Sequence, residues 1–265
     1  PVWSSMDAIL QVRDLGFSYD GSRQIFKAIS FDVNAGEIIC LVGPNGIGKT
    51  TLLNCLAGLW APLEGSVLLD GKNMAGMPAR DIARMIGYVP QTLHPSFDYT
   101  VLEYVVTGNA PWLNIFEKPG PEHYQRAEEA LEQMAISHLA DKPYTRLSTG
   151  ELQQVSIARA IAQKARLILM DEPTAHLDYG NQLKVLRLIK GLSAKGYAVV
   201  LTTHNPDQVL LLDAKTAVID HQSLFHFGAW QDILTEELLS GMYGTALRLT
   251  RVEGVDRMVC IVPGL

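Results

Sequence analysis

Residues 37–51 read EIICLVGPNGIGKTT, and this stretch decides the fold. Its first part, Glu37–Val42, is an apolar run with β-branched residues, which predicts a buried strand. The residues Gly43–Thr50 fit the pattern G-x-x-x-x-G-K-[ST], and a helix is predicted over Lys49–Leu59. A glycine-rich loop between a strand and a helix directs its backbone N–H groups at phosphate oxygens. We therefore predict a phosphate-binding loop, and this context disfavours a chance glycine turn.

The side chains of this loop have distinct expected roles. Lys49 is expected to neutralise the β- and γ-phosphates of a nucleotide, the Thr50 hydroxyl to ligate Mg²⁺, and Thr51 to reach the α-phosphate. The other loop residues expected to contact the phosphates are Gly43, Asn45, Gly46 and Gly48.

A second motif is a pair of carboxylates at the end of a buried strand. The apolar run Leu167–Met170 is followed directly by Asp171 and Glu172. Burying two carboxylates is costly unless a positive group lies nearby. We expect Asp171 to complete a Mg²⁺ shell and Glu172 to polarise an attacking water. The alternative is a solvated strand end that caps the next helix.

A third motif narrows the class of nucleotide hydrolase. Residues 147–151 read LSTGE, with Ser148 placed as a helix N-cap. This motif resembles the LSGGQ signature of ABC (ATP-binding cassette) ATPases. The other family elements follow in the expected order, and the resemblance extends from Ile9 to Asp220. They are an adenine-stacking aromatic at Tyr19, a Q-loop glutamine at Gln91, a D-loop ending at Asp178 and a switch histidine at His204.

The resemblance implies a role for each of these residues. Tyr19 is expected to stack on the adenine of ATP, and Gln91 to join the Mg²⁺ shell and report the nucleotide state. His204 is expected to bond the γ-phosphate and hold Glu172 and water in line. Glu172 and His204 are thus the expected catalytic residues, with ATP and Mg²⁺ as cofactors.

The chain carries one phosphate-binding loop and one signature, which has consequences for assembly. In the family, the signature of one cassette closes on the nucleotide of another. The resemblance therefore implies a head-to-tail dimer with a second copy, or with a different cassette. Ser148, Gly150, Glu151 and Asp178 are the expected ATP contacts across that interface. Thr149 replaces the usual glycine of the motif. Its Cβ lies where the backbone is expected to pass close to a phosphate, which would lower the activity. Alternatively, its hydroxyl adds a hydrogen-bond donor.

Strand and helix patterns alternate along the chain, which predicts an α/β fold with a parallel sheet covered on both faces. The resemblance implies a RecA-like core, an N-terminal antiparallel β subdomain and a helical insertion.

We expect a single nucleotide-binding domain over residues 1–265, with helical residues 92–160 inserted and a C-terminal extension over 221–265. Residues 1–5 precede Met6 and are interpreted as a cloning scar. The predicted elements are strands at Ile9–Leu15, Ala28–Val33, Val67–Leu69, Ile86–Val89, Ala198–Thr202 and Thr216–Ile219, and helices at Pro121–Met134, Leu152–Ala162 and Gln182–Leu192.

Composition limits the remaining function classes. The 265 residues are 48% hydrophobic and 19% charged, which is typical of a globular protein. A net charge of −6 argues against a nonspecific nucleic-acid binder, and no nucleic-acid partner is expected. Three scattered cysteines do not suggest a disulfide framework. No apolar run reaches the ~20 residues of a membrane helix.

Sequence details favour one branch of the family. The stretch after Gln91, the run from Glu172 to Gln182 and the short C-terminal tail look like the ATPases of importers for iron–siderophore, haem, cobalamin and molybdate. That resemblance implies a membrane permease that docks on His94–Gly108, a substrate-binding protein reached indirectly, and a place on the cytoplasmic face of the membrane. The apolar groups there, more than one short helix can bury, are Phe97, Tyr99, Val101, Leu102 and Tyr104, and the alternative is that they pack only on the helices of the insertion. The alternative is a soluble ABC ATPase of iron–sulfur assembly or of another non-transport process.

Overall fold

A computed structural model describes residues 8–21, 23–92, 98–220, 224–254 and 257–264. The strands are, in chain order, β1 (Leu10–Ser18), β2 (Gln24–Val33), β3 (Ile38–Val42), β4 (Glu64–Leu69), β5 (Lys72–Asn73), β6 (Ile86–Val89), β7 (Leu167–Met170), β8 (Ala198–Thr203), β9 (Lys215–Ile219), β10 (Phe225–Ala229), β11 (Arg248–Val252) and β12 (Arg257–Ile261). The α-helices are α1 (Lys49–Leu56), α2 (Ala79–Met85), α3 (Val101–Val106), α4 (Pro121–Gln133), α5 (Thr149–Ala162), α6 (Tyr179–Ala194), α7 (Pro206–Leu212), α8 (Trp230–Ile233) and α9 (Glu236–Tyr243).

The central sheet has six strands in the order β10-β9-β3-β8-β7-β6. Strands β9, β3, β8, β7 and β6 run parallel, and β10 is an antiparallel edge strand. Its parallel strands are nearly continuous apolar runs because both faces of the sheet are covered. The predicted α/β class with a parallel core is confirmed.

Alternate side chains of the central strands enter two separate cores. In β3, Cys40 and Val42 pack with the helices α5 and α6, whereas Ile39 and Leu41 pack with α1 and the first strands. The side chains of β7 alternate in the same way, and Ile168 lies in the core that contains α5 and α6. This period of two is what a strand with two buried faces requires.

A second sheet has the order β2-β1-β4-β5 and is antiparallel throughout. It covers the α1 side of the central sheet, and its core includes Phe26, Ile29 and Leu69. This is the antiparallel β subdomain that the family resemblance implied.

The described residues between β6 and β7 include three α-helices and form no strand of either sheet. Helices α3, α4 and α5 pack on one another, and a 3₁₀ helix at Thr107–Trp112 follows α3. An amphipathic pattern predicted α4, which is one residue shorter than expected at its C-terminal end. Helix α5 begins three residues earlier than the predicted Leu152 because Ser148 caps it.

Several short elements had no clear pattern in the sequence. These are β5, α2, α7 and the segment after β9, which forms β10, α8, α9 and the hairpin β11–β12. The predicted helix over Lys49–Leu59 ends earlier, at Leu56. Residues 1–5 lie outside the described residues. Within the described ranges, no helix combines the length and the apolar composition needed to cross a bilayer.

Candidate active site

The phosphate-binding loop lies between β3 and α1, as its sequence predicted. Gly48 is the N-cap of α1 and has a left-handed backbone with φ of 106°. A Cβ at Gly48 would lie 2.6 Å from the Ile25 side chain, so this position has room only for glycine. The loop and the positive end of the α1 dipole face the same cavity, which suits a phosphate group.

Lys49 is held inside this loop. Its side chain is 6% exposed, and Nζ donates hydrogen bonds to the carbonyls of Gly43 at 2.7 Å and Pro44 at 2.9 Å. Burial lowers the pKa of Lys49, and the carboxylates of Glu172 and Asp171 oppose that shift. The ammonium is therefore held in place by the backbone of the glycine-rich loop.

Asp171 lies at the carboxyl end of β7 and is 4% exposed. Its Oδ1 accepts hydrogen bonds from the hydroxyls of Thr50 at 3.1 Å and Thr202 at 2.7 Å. Mg²⁺ prefers oxygen ligands and usually takes one or two carboxylates together with substrate phosphates. In the described part of the chain, no three His, Cys, Asp or Glu side chains gather as a complete metal site. The oxygens of Thr50 and Asp171 beside the loop fit a Mg²⁺ that arrives with a nucleotide.

Glu172 is the meeting point of three of the predicted residues. Its carboxylate lies 3.7 Å from Lys49 Nζ, 3.3 Å from Gln91 Nε2 and 3.3 Å from His204 Nδ1, and its side chain is only 12% exposed. The backbone at Glu172 is left-handed, with φ of 41°, which is costly for a residue with a Cβ. The Glu172 amide donates to the Thr202 hydroxyl at 2.7 Å and so holds this turn. The carboxylate is thereby fixed beside the phosphate-binding loop.

A cavity of about 350 Å³ opens over Lys49, Gln91 and Glu172, whereas the predicted site residues Gly43, Asp171 and His204 are not among its lining residues. Its lining residues are Tyr19, Ile25, Asn45, Gly46, Gly48, Lys49, Thr50, Thr51, Gln91 and Glu172. The Tyr19 hydroxyl is 2.7 Å from the Thr51 hydroxyl, and the ring, 64% exposed, lies edge-on to Trp60 at 5.5 Å. An exposed ring beside the loop is able to stack on a nucleobase. Sequence reasoning missed Ile25, since a single aliphatic residue in a strand carries no functional signal.

The signature residues lie elsewhere. The cavity lining described above includes none of Ser148, Gly150, Glu151 and Asp178. Ser148 forms a reciprocal capping box with Glu151 at the start of α5, which confirms the predicted N-cap. Lys142 Nζ donates to both Glu151 oxygens, at 2.9 and 3.1 Å. Hydrogen bonds from the Ser148 amide and Lys142 lower the pKa of Glu151 to about 2.

The D-loop residue Asp178 also acts as a helix cap. Its carboxylate accepts hydrogen bonds from the amide of Asn181 at 2.8 Å and from the Asn181 side chain at 2.7 Å. A Cβ on Gly150 would come within 3.1 Å of that same Asn181 side chain. The start of α5 and the start of α6 therefore pack together, apart from the cavity of their own chain.

His204, the predicted switch histidine, has a partner in the C-terminal segment. The Tyr243 hydroxyl, on α9, donates to the His204 carbonyl at 2.8 Å. Burial raises the pKa of Tyr243, so the hydroxyl stays protonated and available as a donor. The Cys260 amide on β12 donates to Asp207 Oδ1 at 2.8 Å, three residues beyond His204. Sequence reasoning missed these contacts because they join residues that are far apart in the chain.

We expect Tyr243→Phe to lower the kcat for ATP hydrolysis about threefold to tenfold. The change removes only the hydrogen bond to the His204 carbonyl, worth about 0.5–1.5 kcal/mol. Because Tyr243 does not line the cavity, the KM for ATP should change less than twofold. Steady-state ATPase assays measure both constants.

The matched control is Tyr124→Phe on α4, which removes a hydroxyl from a ring far from the switch loop in sequence and should leave both constants unchanged. In this prediction Tyr243 acts by positioning His204. An equal loss of kcat in both variants, or a rise in KM for ATP with an unchanged kcat in Tyr243→Phe, contradicts that role.

The fold and this cavity define a P-loop nucleotide-binding protein with two carboxylates at the phosphate end. A family model described as ABC transporter matches residues 26–175, and the chain belongs to that family, whose ATP-binding proteins hydrolyse ATP. The chain is similar to the molybdate import ATP-binding protein MolC of Haemophilus influenzae, with 39% identity over 90% of this chain and 89% of that protein.

Two further comparisons agree. The chain is 38% identical to the hemin import ATP-binding protein HmuV of Nocardia farcinica, over 84% of this chain and 76% of that protein. The structure of a metal-chelate type ABC transporter in an inward-facing conformation superposes with a TM-score of 0.86 and 36% identity, covering 97% of both chains. The predicted family and fold are therefore confirmed.

Proposed function

We propose that this chain is the ATP-binding and ATP-hydrolysing subunit of an importer that takes up a metal compound such as molybdate, an iron chelate, haem or cobalamin. The proposed ATP hydrolysis rests on one observation. Lys49, Gln91 and His204 all lie close to the Glu172 carboxylate beside the phosphate-binding loop. The importer part is supported by the names of the related proteins. Nothing in those relatives supports the alternative of a soluble iron–sulfur assembly ATPase.

The predicted residues in and beside the cavity have distinct roles in this proposal. Glu172 orients a water and accepts its proton as the γ-phosphate is attacked. His204 bonds the γ-phosphate and keeps Glu172 in line, and Lys49 balances the phosphate charge. Tyr19 stacks on adenine. The loop contacts to the phosphates come from Gly43, Asn45, Gly46, Gly48 and Thr51.

Thr50, Asp171 and Gln91 form the proposed Mg²⁺ site. The buried Asp171 carboxylate and the Thr50 hydroxyl supply oxygen ligands at the loop, and Gln91 reaches the same place, where it donates to Glu172. Bound Mg²⁺ neutralises charge on the β- and γ-phosphates. Movement of Gln91 between Glu172 and the nucleotide would report the nucleotide state to the helices that follow.

A second copy of the chain completes the site in this proposal. The capped start of α5 presents backbone N–H groups and a positive dipole end, but it lies outside the cavity of its own chain. Ser148 and Gly150 of one copy contact the γ-phosphate bound to the other copy. Glu151 takes the place of the usual glutamine and accepts a hydrogen bond from a ribose hydroxyl of the same nucleotide. Because both of its carboxylate oxygens already accept from Lys142, one oxygen has to serve both groups. Asp178 shapes the same interface through the cap of α6.

We also propose that a membrane permease holds the subunit at the cytoplasmic face and that a substrate-binding protein delivers the cargo to the permease. A groove of about 370 Å³ offers a docking place between the core and the helical segment. The core side includes Leu59, Ile82 and Tyr88, and the other side is the 3₁₀ stretch from Thr107 to Pro111. Arg80 and Arg84 both donate to the Pro111 carbonyl and so fix the width of the groove.

The burial of the predicted docking groups differs from the sequence interpretation. Val101, Leu102 and Tyr104 were expected among the exposed groups, but Val101 is fully buried, Leu102 packs partly buried against the core, and Tyr104 stacks on Tyr144 at 4.0 Å. They pack on the neighbouring helices because α3 has apolar residues on more than one face. Tyr99 is 44% exposed, whereas His94 and Phe97 lie outside the described residues.

We expect Leu59→Glu to abolish most cargo uptake while the free subunit keeps its basal ATPase rate. Leu59 lines the groove and is 62% exposed, so a charge at this position should disfavour docking of an apolar segment of the permease. Because Leu59 lies outside the nucleotide cavity, the substitution should not alter catalysis. Uptake by the complex reconstituted in vesicles and the ATPase rate of the free subunit measure the two effects.

Leu63→Glu is the matched control, because Leu63 is 52% exposed and does not line the groove. Full uptake by the Leu59→Glu complex places the docking site elsewhere. If the unsubstituted complex and both variants take up cargo equally well without ATP, the proposed importer function itself is contradicted.

A further inference from the structure

A second cavity, of about 400 Å³, lies at the edge of the central sheet opposite the phosphate-binding loop. Residues 164–166 and 195–197 line it directly before β7 and β8, and Asp171 follows the other end of β7. Four strand residues span about 13 Å. The cavities share no lining residue, so a ligand in this one leaves the nucleotide site open.

Half of the eight lining residues are cationic. Arg126, Lys164, Arg166 and Lys195 contribute to the lining, and no Asp or Glu does. Arg166 is paired with Asp70 at 2.7 Å. Within the described part of the chain, no ion pair shorter than 4.0 Å involves the other three. This concentration of positive charge contrasts with a chain whose net charge is −6.

Two glutamates neighbour Arg126 on its own helix, and within the described residues neither forms an ion pair with it. Glu129 accepts a hydrogen bond from Gln125 at 3.0 Å, and Glu122 lies 3.2 Å from His123 Nδ1, which itself accepts a hydrogen bond from the Gly120 amide. The Arg126 guanidinium makes one long hydrogen bond, of 3.4 Å, to the Asn109 side chain. It therefore retains donors for an anion.

Two aromatic residues give the cavity flat apolar walls. The Trp112 indole is fixed by a 2.8 Å hydrogen bond from Nε1 to the Gln163 carbonyl, and the Arg84 guanidinium lies 5.2 Å from the ring centre. The other aromatic lining residue is Tyr197, whose pKa burial raises further above its ordinary value. A volume of about 400 Å³ lies within the range of known small-molecule sites.

We propose that this cavity binds a small organic anion with a flat apolar body. The cations supply the attraction for a phosphate, sulfonate or carboxylate group, and the aromatic walls accept the apolar part. Trp112 and Arg126 belong to the helical segment, whereas Lys195 and Tyr197 belong to the core. A bound anion thus bridges the two parts of the chain, in a site separate from the nucleotide cavity.

Pyridoxal 5′-phosphate is a suitable probe because it combines a planar ring, a phosphate and an aldehyde that forms an imine with a nearby lysine. The protein is treated with a low concentration of the probe under saturating ADP, which shields Lys49, and the imine is reduced with borohydride. Mass spectrometry of peptides then gives the rate at each lysine. We expect Lys164 or Lys195 to react at least tenfold faster than the exposed reference residues Lys27 and Lys118.

Two variants and a second probe distinguish specific binding in this cavity from the general reactivity of exposed lysines. Arg126→Gln should reduce the tenfold preference to about twofold, whereas Arg187→Gln on the exposed side of α6 should leave it intact. Circular dichroism checks that both variants fold. Pyridoxal without the phosphate should show no preference. Equal rates at all exposed lysines, a preference that survives Arg126→Gln, or an equal preference for pyridoxal would each overturn the proposal.

Discussion

Glu172→Gln is expected to lower the rate of ATP hydrolysis by about 10²–10⁴-fold while ATP binding is retained. The amide has nearly the same shape as the carboxylate, so it keeps its place beside Lys49 and Gln91 but accepts a proton from water far less readily. Single-turnover and steady-state ATPase assays measure the rate, and binding of a fluorescent ATP analogue measures affinity.

The same variant should accumulate a dimer in ATP. With hydrolysis blocked, the nucleotide stays between the loop of one copy and the capped α5 of the other, and light scattering should show twice the monomer mass. Glu117→Gln is a matched control at an exposed position, and it should turn over normally and stay monomeric. Unchanged turnover in Glu172→Gln contradicts the assigned base. Loss of turnover without an ATP-dependent dimer contradicts the proposed pairing with a second copy.

Much of the site was predictable because its parts are local in sequence. The strand β3, the glycine loop and the lysine of α1 form one continuous stretch, and the left-handed backbone at Gly48 has no room for a Cβ. Asp171 and Glu172 follow a fully buried strand, and carboxyl ends of neighbouring parallel strands meet at one edge of a sheet. The Ser148 cap is equally local, since a capping box spans only four residues.

Other features depend on tertiary contacts that no local pattern encodes. Tyr243 meets the His204 carbonyl only because α9 folds back onto the switch loop, 39 residues after it. The cationic cavity joins Arg126 to residues near 165 and 196, and each of these looks like an ordinary surface charge in the sequence. Tyr104 was expected to be exposed, but its partner Tyr144 is 40 residues away. Helix patterns show which side chains are apolar, not which neighbour covers them.

Lys49→Ala should weaken ATP binding about 100-fold or more, in contrast to Glu172→Gln. In the free protein the Lys49 ammonium is buried among the Gly43 and Pro44 carbonyls and lies 3.7 Å from Glu172. Its loss removes a charge-assisted contact with the phosphates and leaves two carboxylates, Glu172 and Asp171, facing the incoming anion. A 100-fold loss corresponds to about 2.7 kcal/mol. Calorimetric titration with ATP in the absence of turnover measures the change.

Comparison of the two variants separates binding from chemistry. If the buried ammonium mainly binds phosphate, Lys49→Ala raises the Kd for ATP, whereas Glu172→Gln leaves the Kd near that of the unsubstituted protein. Lys184→Ala, at an exposed position on α6, should change neither constant, and thermal unfolding checks that Lys49→Ala retains its fold. A Kd within threefold of the original for folded Lys49→Ala contradicts the phosphate role. The buried lysine would then serve only to hold the loop carbonyls and the Glu172 carboxylate in place.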